Sequence, residues 1–110
     1  MDYPWGNHLS REHAHYSVSG STAVMNYPPN GYGLYDMAGN LWEWTSSWYK
    51  PYPGNHRENP NFGEKYRVVR GGAWLYDGFH CNLSYRNANQ PELCYPTVGF
   101  RTVCDVPKKE

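Results

Sequence analysis

The sequence predicts an α+β domain in which a small, twisted antiparallel sheet supports long ordered loops. Three observations lead to this prediction. Segments with strand-like alternation are short, the stretches between them are rich in Gly, Pro and Asn, and aromatic residues are abundant, with 11 Tyr and 5 Trp in 110 residues. Aromatic rings can fill the interior of such a fold, and disordered segments are poor in them. The length fits one domain, residues 1–110.

The N-terminal part of the chain is predicted to be ordered loop followed by a short helix. Residues 1–32 contain several prolines and histidines and keep no period of 2 or 3.6. Residues 33–38 form a short stretch of apolar and polar residues that predicts about one or two helical turns. Gly39-Asn40 would end this helix as its C-cap, because both residue types tolerate a left-handed backbone.

A strand is predicted directly after this cap. Residues 41–45 alternate in the strand manner, which places Trp42 and Trp44 on one face. Residues 50–66 are rich in Pro, Asn and Gly and are predicted to form a surface excursion.

Two further strands enclose the longest loop. Residues 66–70 are predicted to form the second strand, which Gly71-Gly72 ends, and residues 98–103 the closing strand. Residues 75–97 between them show little regularity. Ordering a loop of this length costs conformational entropy that a mere connector would avoid, so we expect residues 75–97 to have a function.

Charge and hydropathy exclude two classes of partner. The formal net charge is zero, and basic residues gather only at Lys108-Lys109 in the C-terminal tail. The chain therefore lacks the basic surface that nucleic acid or an anionic membrane would require. No apolar run approaches the length of a membrane span, and the start of the chain does not resemble a signal peptide. We expect a soluble protein whose location the sequence leaves open.

The cysteines and histidines do not predict a zinc or redox site. Cys81, Cys94 and Cys104 form no C-x-x-C pair, and their odd number leaves at least one thiol outside any disulfide. One disulfide and free thiols both remain open. The five histidines lack the spacing of a metal motif and are predicted to be polar loop residues.

Three separated blocks together resemble the formylglycine-generating-enzyme family, also called the sulfatase-modifying-factor family. They cover nearly the whole chain and consist of Tyr3-Pro4-Trp5-Gly6, of residues 27–45 (YPPNGYGLYDMAGNLWEWT), and of Arg67-Val68-Val69-Arg70-Gly71-Gly72-Ala73-Trp74 with Tyr85-Arg86-Asn87 and Val98-Gly99-Phe100-Arg101. The resemblance implies a C-type lectin-like fold. Family domains are longer, so the chain would match their C-terminal portion, and a homo-oligomer or a partner segment would complete the fold.

Two arginines of these blocks are predicted to hold the loops. A guanidinium group is a planar fork that can bind several carbonyls or carboxylates at once. For Arg70 and Arg101 we favour this structural role over contact with a ligand.

The resemblance implies an oxidase activity only in part. Enzymes of the family convert a sulfatase cysteine to formylglycine with a copper ion held by two cysteines after the Gly-Gly motif. In this chain Tyr76 stands at the first of these positions, and Cys81 stands near the second. One thiolate cannot reproduce a site that needs two soft ligands. A copper-dependent oxidase, with Cys81 as its remaining catalytic residue, is therefore the alternative interpretation.

The same resemblance implies a structural calcium ion. Its ligands would be the carboxylates of Asp36 and Glu43 and the backbone carbonyls of Gly39 and Leu41. Hard oxygen donors in a tight turn suit Ca²⁺. The alternative is that Asp36 interacts only locally and Glu43 points to solvent.

The resemblance to C-type lectin folds also places a ligand surface on the loops between the last strands. We expect this surface to bind a protein or cell-surface ligand, because rings mixed with short polar groups are typical of binding loops. The alternative is an aromatic loop core that contacts nothing. The predicted binding residues are Trp48, Leu75, Tyr76, Asp77, Phe79, His80, Asn82, Leu83, Asn87, Asn89 and Tyr95.

A narrower resemblance is to the variable proteins of diversity-generating retroelements, which diversify the stretch before Gly-Phe-Arg. Mutagenesis of adenines in Asn codons gives residues such as Tyr, Asp, His and Cys, and never Lys, Gln, Glu, Met or Trp. Between Leu75 and Val98 only Gln90 and Glu92 fall outside that set. This composition favours a diversified loop, although ordinary loops are rich in the same residues.

Overall fold

The computed structural model describes residues 1–104 and 106, and one four-stranded sheet organises them. The pair Lys108-Lys109 lies outside the described residues. The sheet has the order β3-β2-β1-β4. Its strands are β1 (Trp42–Trp48), β2 (Arg67–Arg70), β3 (Asn87–Asn89) and β4 (Val98–Gly99). A 3-10 helix at Gly78–Cys81 is the only helix in this part of the chain, which therefore includes no helix able to cross a membrane.

The sheet is mixed, so the prediction of an antiparallel sheet was wrong at one edge. β2 pairs antiparallel with both β1 and β3, whereas β4 pairs parallel with β1. β1 and β3 run in the same direction, so residues 90–97 must carry the chain back across the sheet before β4 begins. Parallel pairing requires a crossover of this kind. The N–H of Trp42 donates to the carbonyl of Thr97 at 2.7 Å where the crossover ends.

The predicted strand bounds agree best with the observed ones for the two central strands, β1 and β2. β2 matches the predicted residues 66–70 within one residue, and β1 continues three residues past the predicted end at 45. β4 has two residues instead of the predicted six. The chain leaves the sheet there, and the Arg101 side chain turns back to bind the Tyr35 and Asp36 carbonyls.

The predicted helix at residues 33–38 is absent. Gly33 and Asp36 have positive φ angles of 76° and 53°, and a right-handed helix cannot continue through such residues. The turn is built around Asn30 instead. Its side-chain oxygen accepts hydrogen bonds from the N–H groups of Tyr32 and Leu34. The 3-10 helix and β3 likewise give the predicted 75–97 loop some regular structure.

Aromatic residues form two small cores, as the composition predicted. One, the Trp42 cluster, lies on the sheet, where Trp42, Val69 and Ala73 are fully buried and Trp44 packs beside them. Trp42 and Trp44 thus share a face, as predicted. The other, the Tyr3 cluster, joins the N-terminal loop to the 3-10 helix and consists of Tyr3, Ala14, Tyr16, Ala38 and Cys81.

A left-handed turn at Gly39-Asn40 connects the loops to the sheet. Both residues have positive φ, 79° and 63°. The Gly39 N–H donates to the Gly71 carbonyl at 2.6 Å, and the Asn40 carbonyl accepts from the Trp74 N–H at 2.8 Å. The Asn40 side chain accepts from the backbone N–H of Thr22 and donates to its carbonyl. This turn therefore replaces the predicted helix cap with a junction of three segments.

Gly39 has no room for a side chain. A Cβ at this position would lie 2.7 Å from the carbonyl oxygen of His15. We therefore expect Gly39→Ala to lower the free energy of unfolding by more than about 1 kcal/mol in urea denaturation, from strain and clash together. Gly31→Ala is the matched control, since nothing lies within 4 Å of its Cβ. It should stay within about 0.5 kcal/mol of wild type, and equal losses in the two variants would contradict the prediction.

Candidate functional site

Residues 75–83 are fixed to the scaffold at several points. The carbonyl of Tyr76 accepts from the Ser17 N–H at 2.9 Å, and the N–H of Leu83 donates to the Asp2 carbonyl at 2.7 Å. The Asp77 carboxylate caps the 3-10 helix by accepting from the Phe79 N–H. These hydrogen bonds explain how residues 75–83 can be ordered although most of them lie outside helices and strands.

The rings of this segment stack into a continuous group over the Trp42 cluster. His80 lies at its centre, with ring centroids 5.0 Å from Tyr76 and 4.8 Å from Tyr85. Tyr76 meets the Trp42 ring edge-on at 5.3 Å, and Phe79 lies 5.7 Å from Tyr85 on the outer side. Edge-to-face contacts of this kind add to the stability that area burial provides. Tyr76 thus belongs partly to the core, which the sequence did not predict.

An Asp77–His80 pair orients the central ring. Asp77 Oδ1 lies 2.9 Å from His80 Nδ1, and the Asp77 carboxylate is 70% exposed. Burial raises the pKa of the neighbouring Tyr85 hydroxyl, and the tyrosines and Asp77 nearby add to the effect. The Tyr85 hydroxyl is therefore neutral at physiological pH, and it can donate or accept a hydrogen bond.

The exposed members of the predicted surface are mainly apolar. Leu75, Phe79 and Leu83 are 60%, 62% and 44% exposed, and Asp77 lies among them. A group of large exposed apolar side chains on an ordered segment indicates an interaction surface. The other predicted binding residues are half-buried: Trp48, Tyr76, His80, Asn82, Asn87, Asn89 and Tyr95.

Several half-buried residues have structural roles. The side-chain oxygens of Asn82 and Asn87 accept hydrogen bonds from the backbone N–H groups of Ser84 and Ala88, respectively. Tyr95 packs against Trp44 with a centroid distance of 6.4 Å. These residues therefore shape the loop in addition to any contact with a ligand.

Trp48 and Asn89 lie farther away, at one end of the sheet. Asn89 pairs with Arg67, which in turn pairs with Trp48. The Arg67 guanidinium lies over the Trp48 ring at 3.6 Å. The predicted binding residues between Leu75 and Leu83 thus lie in or next to the 3-10 helix, whereas Trp48 and Asn89 lie in strands β1 and β3.

Sequence reasoning missed a cationic group beside the loop. The Arg86 guanidinium lies 3.9 Å from the centroid of the Tyr52 ring, and Arg70 Nη2 donates to the Tyr52 hydroxyl at 3.1 Å. Arg70 also donates to the carbonyls of Leu83 and Tyr85, as its predicted role in holding loops requires. Tyr52 lies in the predicted surface excursion, where no motif marked it.

The four residues predicted to bind calcium line one groove beside the Gly39-Asn40 turn. The groove has a volume of about 400 Å³ and includes Asp36, Gly39, Leu41 and Glu43. Among the residues that the structure describes, no three His, Cys, Asp or Glu side chains come together as metal ligands. A calcium ion here would therefore depend on backbone carbonyls as well as the two carboxylates.

Arg101 controls the Glu43 carboxylate in this groove. Nε of Arg101 donates to Glu43 Oε1 at 2.8 Å, and Nη2, which donates to the Tyr35 and Asp36 carbonyls, lies 2.6 Å from the same carboxylate oxygen in an ion pair. Within residues 1–104 and 106, the second oxygen, Oε2, accepts no hydrogen bond. Burial raises the pKa of the Glu43 carboxyl, and the hydrogen bond and charge of Arg101 oppose this change. A hard cation bound in this groove would use the second oxygen, Oε2, and would share the Glu43 carboxylate with the Arg101 guanidinium.

Cys81 and Cys94 lie in different surroundings. Cys81 is only 1% exposed and packs in the Tyr3 cluster, whereas Cys94 is exposed. Burial raises the pKa of the Cys81 thiol to about 11. Tyr76 stands at the first of the two cysteine positions that the resemblance implies, and its ring packs on Trp42. The residues present do not fit a copper site with two thiolates.

Comparison with known proteins identifies relatives over almost the whole chain. The model of the sulfatase-modifying factor enzyme 1-like domain matches residues 1–106. The serine/threonine-protein kinase pkn1 of Chlamydia pneumoniae is 40% identical over 109 residues, which are 92% of this chain and 17% of that protein. The formylglycine-generating enzyme of Mus musculus is 32% identical, and the match covers 94% of this chain and 34% of the enzyme. The chain thus spans about a third or less of these relatives.

A solved structure supports the fold. The Treponema denticola variable protein 1 matches with a TM-score of 0.74 and 27% identity, over 91% of this chain and 40% of that one. The architecture described above is therefore that of the formylglycine-generating-enzyme type.

The difference between the thiols predicts their reactivity. At about pH 8, a thiol with a pKa near 11 has far less thiolate than an ordinary one, and burial blocks access as well. We expect Cys81 in a Cys94→Ser/Cys104→Ser variant to react with a thiol reagent at least about 100-fold more slowly than Cys94 in the matched Cys81→Ser/Cys104→Ser variant. Equal rates in the folded proteins, or rates that stay different in denaturant, would contradict this explanation.

Proposed function

Because the chain belongs to the sulfatase-modifying factor enzyme 1-like family, we propose that it is a non-catalytic module that displays residues 75–97 to a protein ligand. The observation that supports this proposal best is the exposed apolar group of Leu75, Phe79 and Leu83 on a segment tied to the scaffold. Rigid loops that expose large apolar side chains bind with little loss of conformational entropy.

The nature of the surface favours a protein as the ligand. Phe79 and Leu83 supply apolar area, while Asp77 and the arginines beside Tyr52 supply polar contacts at its margin. Protein interfaces combine an apolar centre with a polar margin and are enriched in aromatic residues and arginine.

A diversified loop is a more specific form of the same proposal. Between Leu75 and Val98, every residue except Gln90 and Glu92 can be encoded by an Asn codon after mutation of its adenines. The match to Treponema denticola variable protein 1, whose name describes a variable protein, covers 91% of this chain and supports this form.

We propose a structural calcium ion in the groove beside the Gly39-Asn40 turn. Asp36 and Glu43 would hold it through their carboxylates, and Gly39 and Leu41 through their carbonyls, with Arg101 orienting Glu43. When bound, the ion would join the turn to the start of β1. It would thereby stabilise the base on which the display surface is built.

The alternative is the formylglycine-generating oxidase, supported by the identity with the mouse enzyme. Only Cys81 is available for that chemistry, and its burial disfavours the reactive thiolate. Incubating the protein and a sulfatase-derived cysteine peptide with Cu(I) and oxygen tests it. Formation of the aldehyde, seen by mass spectrometry, would favour the oxidase, and we expect none. The kinase activity named for the Chlamydia relative is not carried over, because the match covers 17% of that protein.

Sequencing many copies of the gene from its source population tests the display proposal directly. We expect amino-acid differences to concentrate in residues 75–97, at codons that contain adenine, because side chains of a display surface vary with the ligand. The control windows are β1 and β2, residues 42–48 and 67–70, which should remain constant because they form the sheet. Variation spread evenly over these windows, or an invariant 75–97 segment, would exclude a diversified surface.

Calcium titration tests the groove. We expect saturating Ca²⁺ to raise the thermal midpoint of the wild type, since a ligand at 100 times its dissociation constant stabilises the folded state by about 2.7 kcal/mol. Asp36→Ala should abolish the calcium-dependent part of this shift. Glu58→Gln, which removes an exposed carboxylate outside the groove, should retain it. A shift that survives in Asp36→Ala, or no shift in the wild type, would exclude the site.

A further inference from the structure

We propose that Arg70 and Arg86, which both contact Tyr52, form a carboxylate-binding subsite at the margin of the display surface. The partner would be a polypeptide that places an acidic side chain there next to an apolar one. This inference rests on the proposed display function, because it specifies the chemistry of that surface's ligand.

Tyr52 holds the two guanidinium groups close together. Arg86 lies against the face of the ring, with Cζ 3.9 Å from its centroid, and Arg70 Nη2 is 3.1 Å from the hydroxyl at the end of the same ring. The two guanidinium groups therefore contact the same tyrosine side chain, one at the face of the ring and one at the hydroxyl. Tyr52 itself is 51% exposed, so solvent and a ligand can reach the group.

Backbone bonds fix the orientation of both arginines. Arg86 Nη1 donates to the Lys50 carbonyl at 2.7 Å, and Arg70 Nη1 donates to the Leu83 carbonyl at 2.8 Å. Arg86 uses one of its five N–H donors in this way and stacks through its flat face on Tyr52 and Tyr49. A stacked guanidinium keeps its edge available, and that edge matches a carboxylate in a bidentate contact.

The charge of this pair is not neutralised within the described residues. No carboxylate oxygen there lies within 4.0 Å of either guanidinium group. The neighbouring cation, Lys50, is paired with Glu64 at 3.9 Å, and the nearby Asp77 is bonded to His80. The two guanidinium groups thus have no ion-pair partner within the described residues, in a chain whose formal net charge is zero.

The position of the pair indicates a polypeptide as the source of the carboxylate. Arg70 donates to the backbone carbonyls of Leu83 and Tyr85, and the Tyr85 ring lies 5.7 Å from the ring of the exposed Phe79. An acidic residue beside an aliphatic or aromatic anchor would satisfy both features at once. A nucleic acid would require a longer basic surface than two arginines provide.

The test is selection of binders from a random peptide library displayed on phage, with the wild-type protein as target. We expect enriched peptides to contain Asp or Glu within a few residues of Leu, Phe or Trp. For one synthetic peptide, changing its acidic residue to the amide should weaken binding by about 10-fold or more, the usual effect of losing a hydrogen bond between charged groups. Arg86→Gln should cause the same loss, and the two losses should not add.

Two variants act as controls. Arg57→Gln removes an exposed arginine elsewhere and should bind as the wild type does. Arg86→Lys keeps the charge but loses the planar fork, so it should bind the acidic peptide with intermediate affinity, and it serves as the test variant if Arg86→Gln does not fold.

The outcomes separate the subsite from the display surface. Enriched peptides with apolar anchors but no acidic preference, whose binding is lost in Phe79→Ala, would overturn the subsite and leave the display surface intact. Binding that is unchanged in Phe79→Ala, or no enrichment at all, would overturn both. If inorganic phosphate displaces the peptide at concentrations at which acetate does not, the subsite binds a phosphoryl group, and the assignment to a carboxylate fails.

Discussion

The buried side chain of Asn40 is the contact on which the rest of this structure depends. Asn40 is 6% exposed, and both its amide and its carbonyl oxygen bind the backbone of Thr22. Its own backbone binds His15 on one side and Trp74 on the other. Loops without regular secondary structure must find partners for their buried polar groups elsewhere. One asparagine in a left-handed conformation supplies several of these partners and so joins the N-terminal loop, the Gly-Gly segment and the sheet.

This junction also separates the two candidate sites. The calcium groove lies along residues 36–43 and ends at Arg101, whereas the display surface begins after Trp74. Asn40 itself lines the groove, and Trp74, whose N–H binds the Asn40 carbonyl, directly precedes the display surface. A cation in the groove would therefore influence the display surface through packed backbone, without contact with the ligand. The coupling would be modest, because the groove would affect mainly the stability of the base.

The sequence was most informative where a local pattern determined the structure. Alternation predicted β1, and the Val pair of β2 was placed within one residue, since side chains buried on both faces leave little freedom of register. The family motifs marked Asp36, Gly39, Leu41 and Glu43, which line one groove, and the binding of calcium there stays a prediction. The sequence did not show that residues 33–38 form a turn instead of a helix. Hydrogen bonds with the side chains of Asn30 and Arg101 fix this backbone, and helix propensity does not report them.

Long-range packing explains the other differences. The parallel pairing of β4 depends on a crossover whose path has no local signal, and Tyr76 faces Trp42 only because the loop folds back over the sheet. The role of Tyr52 was also hidden, since it depends on two arginines that are 18 and 34 positions away in the chain. Composition placed Tyr52 in a surface excursion, and nothing in the neighbouring residues indicates its contacts.

The attachment of the 75–85 segment relies on main-chain atoms. Ser17 binds the Tyr76 carbonyl, Asp2 binds the Leu83 N–H, and Arg70 binds the carbonyls of Leu83 and Tyr85. None of these bonds involves the side chain of a residue in the segment. Exchange of an exposed side chain such as Phe79 therefore leaves the attachment unchanged. Substitution of such side chains is thereby uncoupled from the attachment of the loop, a property that makes a protein evolvable.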